Sequence, residues 1–247
     1  AQSRGGKGVI GLTTKEEDMV EHFFTTNTHA DLMFFTTRGR VFKLKAYEVP
    51  SGSRQAKGQA IVNFLQLAPE EKVSSILSLD EISSYKNLVM VTNNAFIKRV
   101  SFESFANVRR SGLIAIKLKE GDALQWVKPS SGKDNIVILT AHGQAIRFKE
   151  SDVREMGRAA AGVRGIRLKG DDTVVGMDIL DNGTVGSTEQ LLVVMANGYG
   201  KRTKLSAYKI QHRGGTGIRT AKITDKTGPI INGFIVDAKR EKEDIVI

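Results

Sequence analysis

The chain has 247 residues, 40% of them hydrophobic, enough to bury the core of one large β domain or two smaller ones. Lys and Arg number 37 against 27 Asp and Glu, a formal charge of +10; this balance favours a polyanion, nucleic acid foremost, over the alternative of a basic surface kept for solubility. Cysteine is absent, which excludes a disulfide framework and thiolate chemistry and suits a reducing cytoplasm, and no run approaches the roughly 20 apolar residues of a membrane span or the apolar core of a signal peptide.

In chain order, residues 1–30 read as part of a unit, with Gly8 as its landmark and a closing strand from Met19 to Thr25. Whole repeats follow at 31–85, 86–133, 134–189 and 190–243, and residues 244–247 open another. Each whole repeat begins with an apolar run: Leu32 to Phe35, Leu88 to Val91, Ile136 to Leu139 and Leu191 to Val194. A tight turn follows, marked by Gly39, Asn94, Gly143 and Gly198, residue types that tolerate positive φ. Four residues on stands a cation, Lys43, Lys98, Arg147 or Arg202, and two further on Lys45, Val100, Lys149 or Lys204. A second glycine then appears (Gly58, Gly112, Gly162, Gly217). Beyond it comes an alternating apolar–polar–apolar trio: Val62-Asn63-Phe64, Ile116-Lys117-Leu118, Ile166-Arg167-Leu168 and Ala221-Lys222-Ile223. Period-two alternation predicts a half-buried strand there. Closing strands are expected over Val73 to Leu79, Ala123 to Val127, Val174 to Leu180 and Ile230 to Val236.

Four strands in about fifty residues is the size of a propeller blade, so the chain reads as one all-β, propeller-like domain of four-stranded antiparallel blades. An open array leaves sheet edges unpaired, so closure into a disc is expected. The broken first and last units imply a higher blade count in the intact protein.

The cations gather at two places in the repeat. One is the column Lys43, Lys98, Arg147 and Arg202, with Lys45, Lys149 and Lys204 beside it. The other precedes the second glycine: Arg54 and Lys57, Arg109 and Arg110, Arg158, and Arg213. In the partial unit this place is held by Gln2-Ser3-Arg4-Gly5-Gly6-Lys7-Gly8, whose glycines let backbone N–H groups approach a phosphate closely. Cations recurring at one place in a ring of blades fall on one rim, and such a belt suits the backbone of duplex DNA without sequence readout. The column also fits solvated sheet edges that block aggregation.

Other chemistry finds no support. Gly6-Lys7-Gly8-Val9-Ile10-Gly11 fits G-x-G-x-x-G, but no strand precedes it and no helical pattern follows, so it is no dinucleotide site. The P-loop pattern, a nucleophile elbow and metal-ligand spacing among His22, His29, His142 and His212 are all missing, so no catalytic residue, metal or cofactor is assigned. Trp126 on a closing strand reads as core rather than as a stacking platform, and the low aromatic content of 6% argues against single-strand reading.

The heptad Gln2 to Gly8 closely resembles the gyrase-A box, the signature of the C-terminal domain of the DNA gyrase A subunit. Thr37 to Val41, Phe148 to Arg154, Gly162 to Leu168 and Asn197 to Thr203 also look like that domain, so the resemblance runs along essentially the whole chain. It implies a β-pinwheel, a propeller-like disc of about six blades that exchange strands with their neighbours. It also implies a non-catalytic domain that wraps double-stranded DNA round a basic rim, so that the holoenzyme introduces negative supercoils. ATP and Mg2+ would be used by other parts of that A2B2 assembly, and the partners would be the ATPase subunit together with the N-terminal part of the same polypeptide. A cytoplasmic, nucleoid-associated location and a monomeric isolated domain follow. Ser3 departs from the family, which usually has a basic residue there, leaving Arg4 and Lys7 to carry the charge of the box. The rival readings are the related C-terminal domain of topoisomerase IV, which selects crossovers without a full wrap, and a propeller scaffold for acidic proteins.

Overall fold

A computed structural model of the chain describes residues 24–53, 56, 58–82, 84–181 and 188–237. The heptad from Gln2 to Gly8, Arg54, Lys57, most of the strand expected over residues 19–25 and the opening unit at 244–247 lie outside them.

The first repeat supplies β1 (Asp31–Thr36), β2 (Arg40–Lys45) and β3 (Val73–Ser78). The second supplies β4 (Asn87–Thr92), β5 (Phe96–Ser101), β6 (Leu113–Ile114) and β7 (Leu124–Ser130). The third supplies β8 (Asn135–Thr140), β9 (Gln144–Lys149), β10 (Val163–Arg164) and β11 (Val174–Leu180). The fourth supplies β12 (Glu189–Met195), β13 (Gly200–Lys204), β14 (Ile218–Arg219) and β15 (Ile230–Asp237).

These strands form four antiparallel sheets, ordered β3-β1-β2-β6, β7-β4-β5-β10, β11-β8-β9-β14 and β15-β12-β13. The apolar runs are unbroken because both faces of a blade are covered. Along β4, Leu88 and Met90 pack with Met33 and Phe35 of the first blade, while Val89 and Val91 pack with Ile136 and Ile138 of the third. The same alternation puts Val137 and Leu139 of β8 against Leu191 and Val193 of the fourth. Each fully buried side chain of this size contributes about 1.5–3 kcal/mol. A carboxylate at Val89, which is wholly buried, would force the second and third blades apart.

The closing strands β3, β7, β11 and β15 form the inner wall, each packed on the next. Side chains stitch them together. Ser75 Oγ accepts from Val127 N at 3.1 Å and donates to Gln125 O at 3.2 Å. Lys128 pairs with Asp178 at 2.7 Å, and Asp178 Oδ2 accepts Ile235 N at 2.8 Å. Each link crosses from one blade to its neighbour.

The outer edge is built by exchange. β6 pairs with β2 through Arg40↔Ile114 and Val41↔Leu113, β10 with β5 through Val163↔Ile97, and β14 with β9 through Ile218↔Ala145. Each of these two-residue strands is lent by the following repeat to the preceding blade. A glycine must lead each one. Gly162 and Gly217 have φ of 86° and 70°, and a Cβ on either would stand 2.5 Å from a backbone oxygen, that of Ile97 or Ala145.

Two elements of the fold differ from the sequence reading. The alternating trios are not strands: Ile61–Asn63 forms a single 3-10 turn, and 116–118, 166–168 and 221–223 are crossovers outside any sheet. They alternate because they run over the hairpin ends from the outer edge to the inner wall, burying Ile116, Ile166 and Ala221 while Lys117, Arg167 and Lys222 face solvent.

The second correction concerns the turn of the second repeat. Its positive-φ residue is Ala95 (φ 64°), not Asn94. Ala95 N donates to Thr92 O at 3.0 Å, as Gly39 N does to Thr36 O and Gly143 N to Thr140 O. The threonine sets the offset, since its Oγ1 accepts the N–H four residues on, in Arg40, Phe96 and Gln144.

Candidate nucleic-acid interface

A shift of one residue in a strand exchanges its two faces. With Ala95 matched to Gly39, the structural column is Lys43, Arg99, Arg147 and Arg202, opposite Met33, Val89, Val137 and Leu192 on the central strands. Lys98 instead falls in line with Phe42 and Ile146 and is fully buried. Its Nζ donates to Ala115 O at 2.6 Å, to Ala160 O at 3.2 Å and to Arg158 O. Burial, with the Arg158 charge adding to it, lowers its pKa to about 8. Lys98 is therefore removed from the rim candidates. It is a tether that fixes the connection of the third repeat to the second blade.

Arg147 is also withdrawn from the surface. It is 6% exposed, and its Nη1 donates to Leu205 O at 3.3 Å. Arg99 is its counterpart, with a side chain 16% exposed and 3.8 Å from the buried carboxylate of Glu150. Both are covered by the next connection: Met156 N donates to Arg99 O at 2.9 Å and Gln211 N to Arg147 O at 2.8 Å. Burial holds the Arg147 pKa below its ordinary value. Glu150 is itself a junction, accepting Ser130 Oγ at 2.6 Å, Gly132 N at 3.0 Å and Asp134 N at 3.2 Å.

The remaining strand cations differ in freedom. Lys43 is half-buried, and Lys149, Arg202 and Lys204 are exposed. Lys45 is engaged, 3.1 Å from Asp31 Oδ1 and 3.3 Å from His29 O. Lys45 and Lys149 end β2 and β9 at the end away from the hairpin turn.

Of the cations before the second glycine, Arg109 and Arg110 are exposed and Arg158 is half-buried. Arg110 forms an ion pair with Glu48. Arg213 spends its guanidinium on the protein, donating from Nε to Asp152 O at 2.8 Å and from Nη1 to Arg164 O at 3.2 Å. The fold brings Arg109 and Arg158 together: both line one open groove between the lent strand β6 on the edge of the first blade and the connection that leads to β10, with exposed Ile114 also in its lining.

Two sets of exposed cations were not singled out by their sequence pattern. Arg164 and Arg219 are the second residues of the lent strands β10 and β14. Lys117, Arg167 and Lys222 stand at one place on three successive crossovers. Their signal was present, since each follows its glycine at a constant offset, but a strand reading gave no reason to prefer them. Described cations thus face solvent along the outer edge of successive blades and over the hairpin ends. Among the described residues no group of three or more His, Asp or Glu gathers as a metal site, and no helix is long and apolar enough to cross a membrane.

Comparison with known proteins gives a consistent result. A family model for the DNA gyrase C-terminal domain, beta-propeller, matches residues 1–27, 30–80, 86–131, 134–181 and 189–237. The DNA gyrase A subunit of Staphylococcus epidermidis is 45% identical over 232 residues, covering 94% of this chain and 26% of that protein. Its Staphylococcus aureus counterpart is 43% identical over 248 residues, covering all of this chain and 27% of that protein. The chain therefore spans about a quarter of the length of the curated relatives it matches. Among solved structures, a C-terminal domain of DNA topoisomerase IV superposes with a TM-score of 0.75 at 21% identity, covering 93% of this chain and 86% of that one. A DNA gyrase A C-terminal domain superposes at 0.70 with 28% identity, covering 86% of this chain and 67% of that one.

Proposed function

Since the chain belongs to the family of DNA gyrase C-terminal domains found in the gyrase A subunit, we propose that it binds duplex DNA along its outer edge and bends it round the disc. The observation that carries this is the placement of exposed cations, Arg109, Arg164 and Arg219, on or beside the outermost strand of three successive blades. Contacts to backbone phosphates position DNA without reading its sequence, and sequence preference then comes from deformability. The domain itself carries no catalysis. It presents a wrapped crossover to the N-terminal part of its own polypeptide, while the ATPase subunit supplies the ATP- and Mg2+-dependent step in the cytoplasm. The identity of 45% to a gyrase subunit favours this reading over the topoisomerase IV alternative, for which the structural likeness at 21% shows the fold alone.

Ligation of nicked circles with the chain bound tests it. The expected result is a shift in linking number that grows with protein and is lost at high salt; an unchanged topoisomer distribution at low salt would overturn wrapping. In the complete holoenzyme, Arg4→Ala with Lys7→Ala is expected to abolish supercoiling while leaving relaxation and decatenation largely intact.

A further inference from the structure

The hairpin end of the third blade holds a recess of about 560 Å³ that includes Gln144, Arg167, Lys169, Arg219 and Asp172 in its lining. The corresponding places in the other blades are differently furnished. In the first, Arg40 stands where Gln144 does, and it donates from Nε to Glu71 at 2.9 Å and from Nη2 to Gln66 O at 2.9 Å. In the second, Phe96 takes that position and Lys119, the counterpart of Lys169, lies over its ring at 4.0 Å. In the fourth, Lys226 lies 5.6 Å from the ring of Tyr199.

Only the third blade among those described brings several uncommitted cations into one recess. Among the described residues, Arg167, Lys169 and Arg219 make no side-chain hydrogen bond or ion pair. The one carboxylate lining the recess belongs to Asp172, which is 7% exposed. Its Oδ1 is occupied by the N–H groups of His142 and Thr173, each at 2.9 Å. Asp171 lies at the margin, 3.7 Å from His142 Nε2 and with a side chain 92% exposed. Three cations against one carboxylate, one oxygen of which is held by two backbone N–H groups, focus positive potential in a concave site. The two guanidinium forks suit the paired oxygens of a phosphate.

We propose that this recess is a phosphate-binding site peculiar to the third blade, and that it takes a backbone phosphate of the duplex lying on the rim. The phosphate chemistry stands on the recess itself, while its source rests on the DNA-wrapping reading. Gln144 in place of Arg40 or Phe96 leaves the site open, and Arg219 on the lent strand ties it to the outer edge.

Two measurements on the 247-residue chain test the site. In the first, inorganic phosphate is titrated against chloride at matched ionic strength while the amide resonances of His142 and Thr173 are followed. Phosphate is expected to shift them, and Arg167→Ala with Arg219→Ala is expected to remove the shift. In the second, the logarithm of duplex affinity is plotted against the logarithm of salt concentration. The double variant is expected to lower the slope by about 0.9 for each phosphate it no longer neutralises, while Lys119→Ala leaves it unchanged. Both altered arginines are exposed, so the thermal midpoint should not move.

Indistinguishable effects of phosphate and chloride, with an unchanged slope, would overturn the site. A phosphate-specific shift with an unchanged slope would reassign it to a free phosphate and overturn the duplex assignment. A phosphate-specific shift in a chain that binds no duplex at low salt would uphold the site and remove the wrapping reading.

Discussion

Lys98 shows how far a residue's role depends on which side of its strand it occupies. Read as a rim cation it would contact phosphate; in the fold it is fully buried and holds three backbone carbonyls. Lys98→Ala would strand those acceptors, so it is expected to cost about 2–4 kcal/mol in denaturant unfolding and to leave the salt slope of DNA binding intact. Lys149→Ala, at an exposed strand end, should do the reverse. Glu71 gives a pH-dependent counterpart in the first blade. Burial alone would raise its pKa, but hydrogen bonds from Arg40, Thr36 and Ala68 N, with the Arg40 charge, more than offset that and hold it at about 2. The stability it contributes is complete above its ordinary value of 4.5 and is lost as pH falls from there through about 2. Acid unfolding of Glu71→Gln should therefore lack that component of the pH dependence; an identical acid limb in both proteins would remove the role given to Glu71.

At the scale of elements, the hairpins and closing strands were legible because their signals are local. An apolar run, a tight turn and a cation-bearing second strand lie close together in sequence, and a further short strand closes each repeat. The lent strands were not legible in that way. Leu113–Ile114 and Ile218–Arg219 are two residues long, too short for periodicity, and their partners belong to another repeat. Only the glycine before each one marked the place. Gly162→Ala would need both a positive φ and a Cβ 2.5 Å from Ile97 O. It is expected to cost roughly 1–3 kcal/mol and to speed hydrogen exchange along β10 and its partner β5. Unchanged protection there would show that the outer strand is not held by this approach.

For the whole molecule, each repeat lends a strand to the blade before it, so exposed cations recur along the outer edge of successive blades. Affinity for duplex DNA should rise with length until the edge is filled and then level off. A steady dependence, with no plateau, would point to scattered charge rather than a track. The inner wall supports that geometry, since Ser75, Lys128 and Asp178 each bond across a blade boundary.

The sequence by itself determined the all-β repeat, its hairpins, the surplus of positive charge and, through the Gln2 to Gly8 heptad, the family. These rest on short-range pattern, composition and motif. Only the tertiary structure decided which cations reach solvent. The side-chain period of a strand is two, so the one-residue difference between Asn94 and Ala95 sends Lys98 into the core and puts Arg99 in the column. The exchange of strands between repeats then covers Arg99 and Arg147 and presents Arg164 and Arg219, a result of pairing between segments that no single repeat contains.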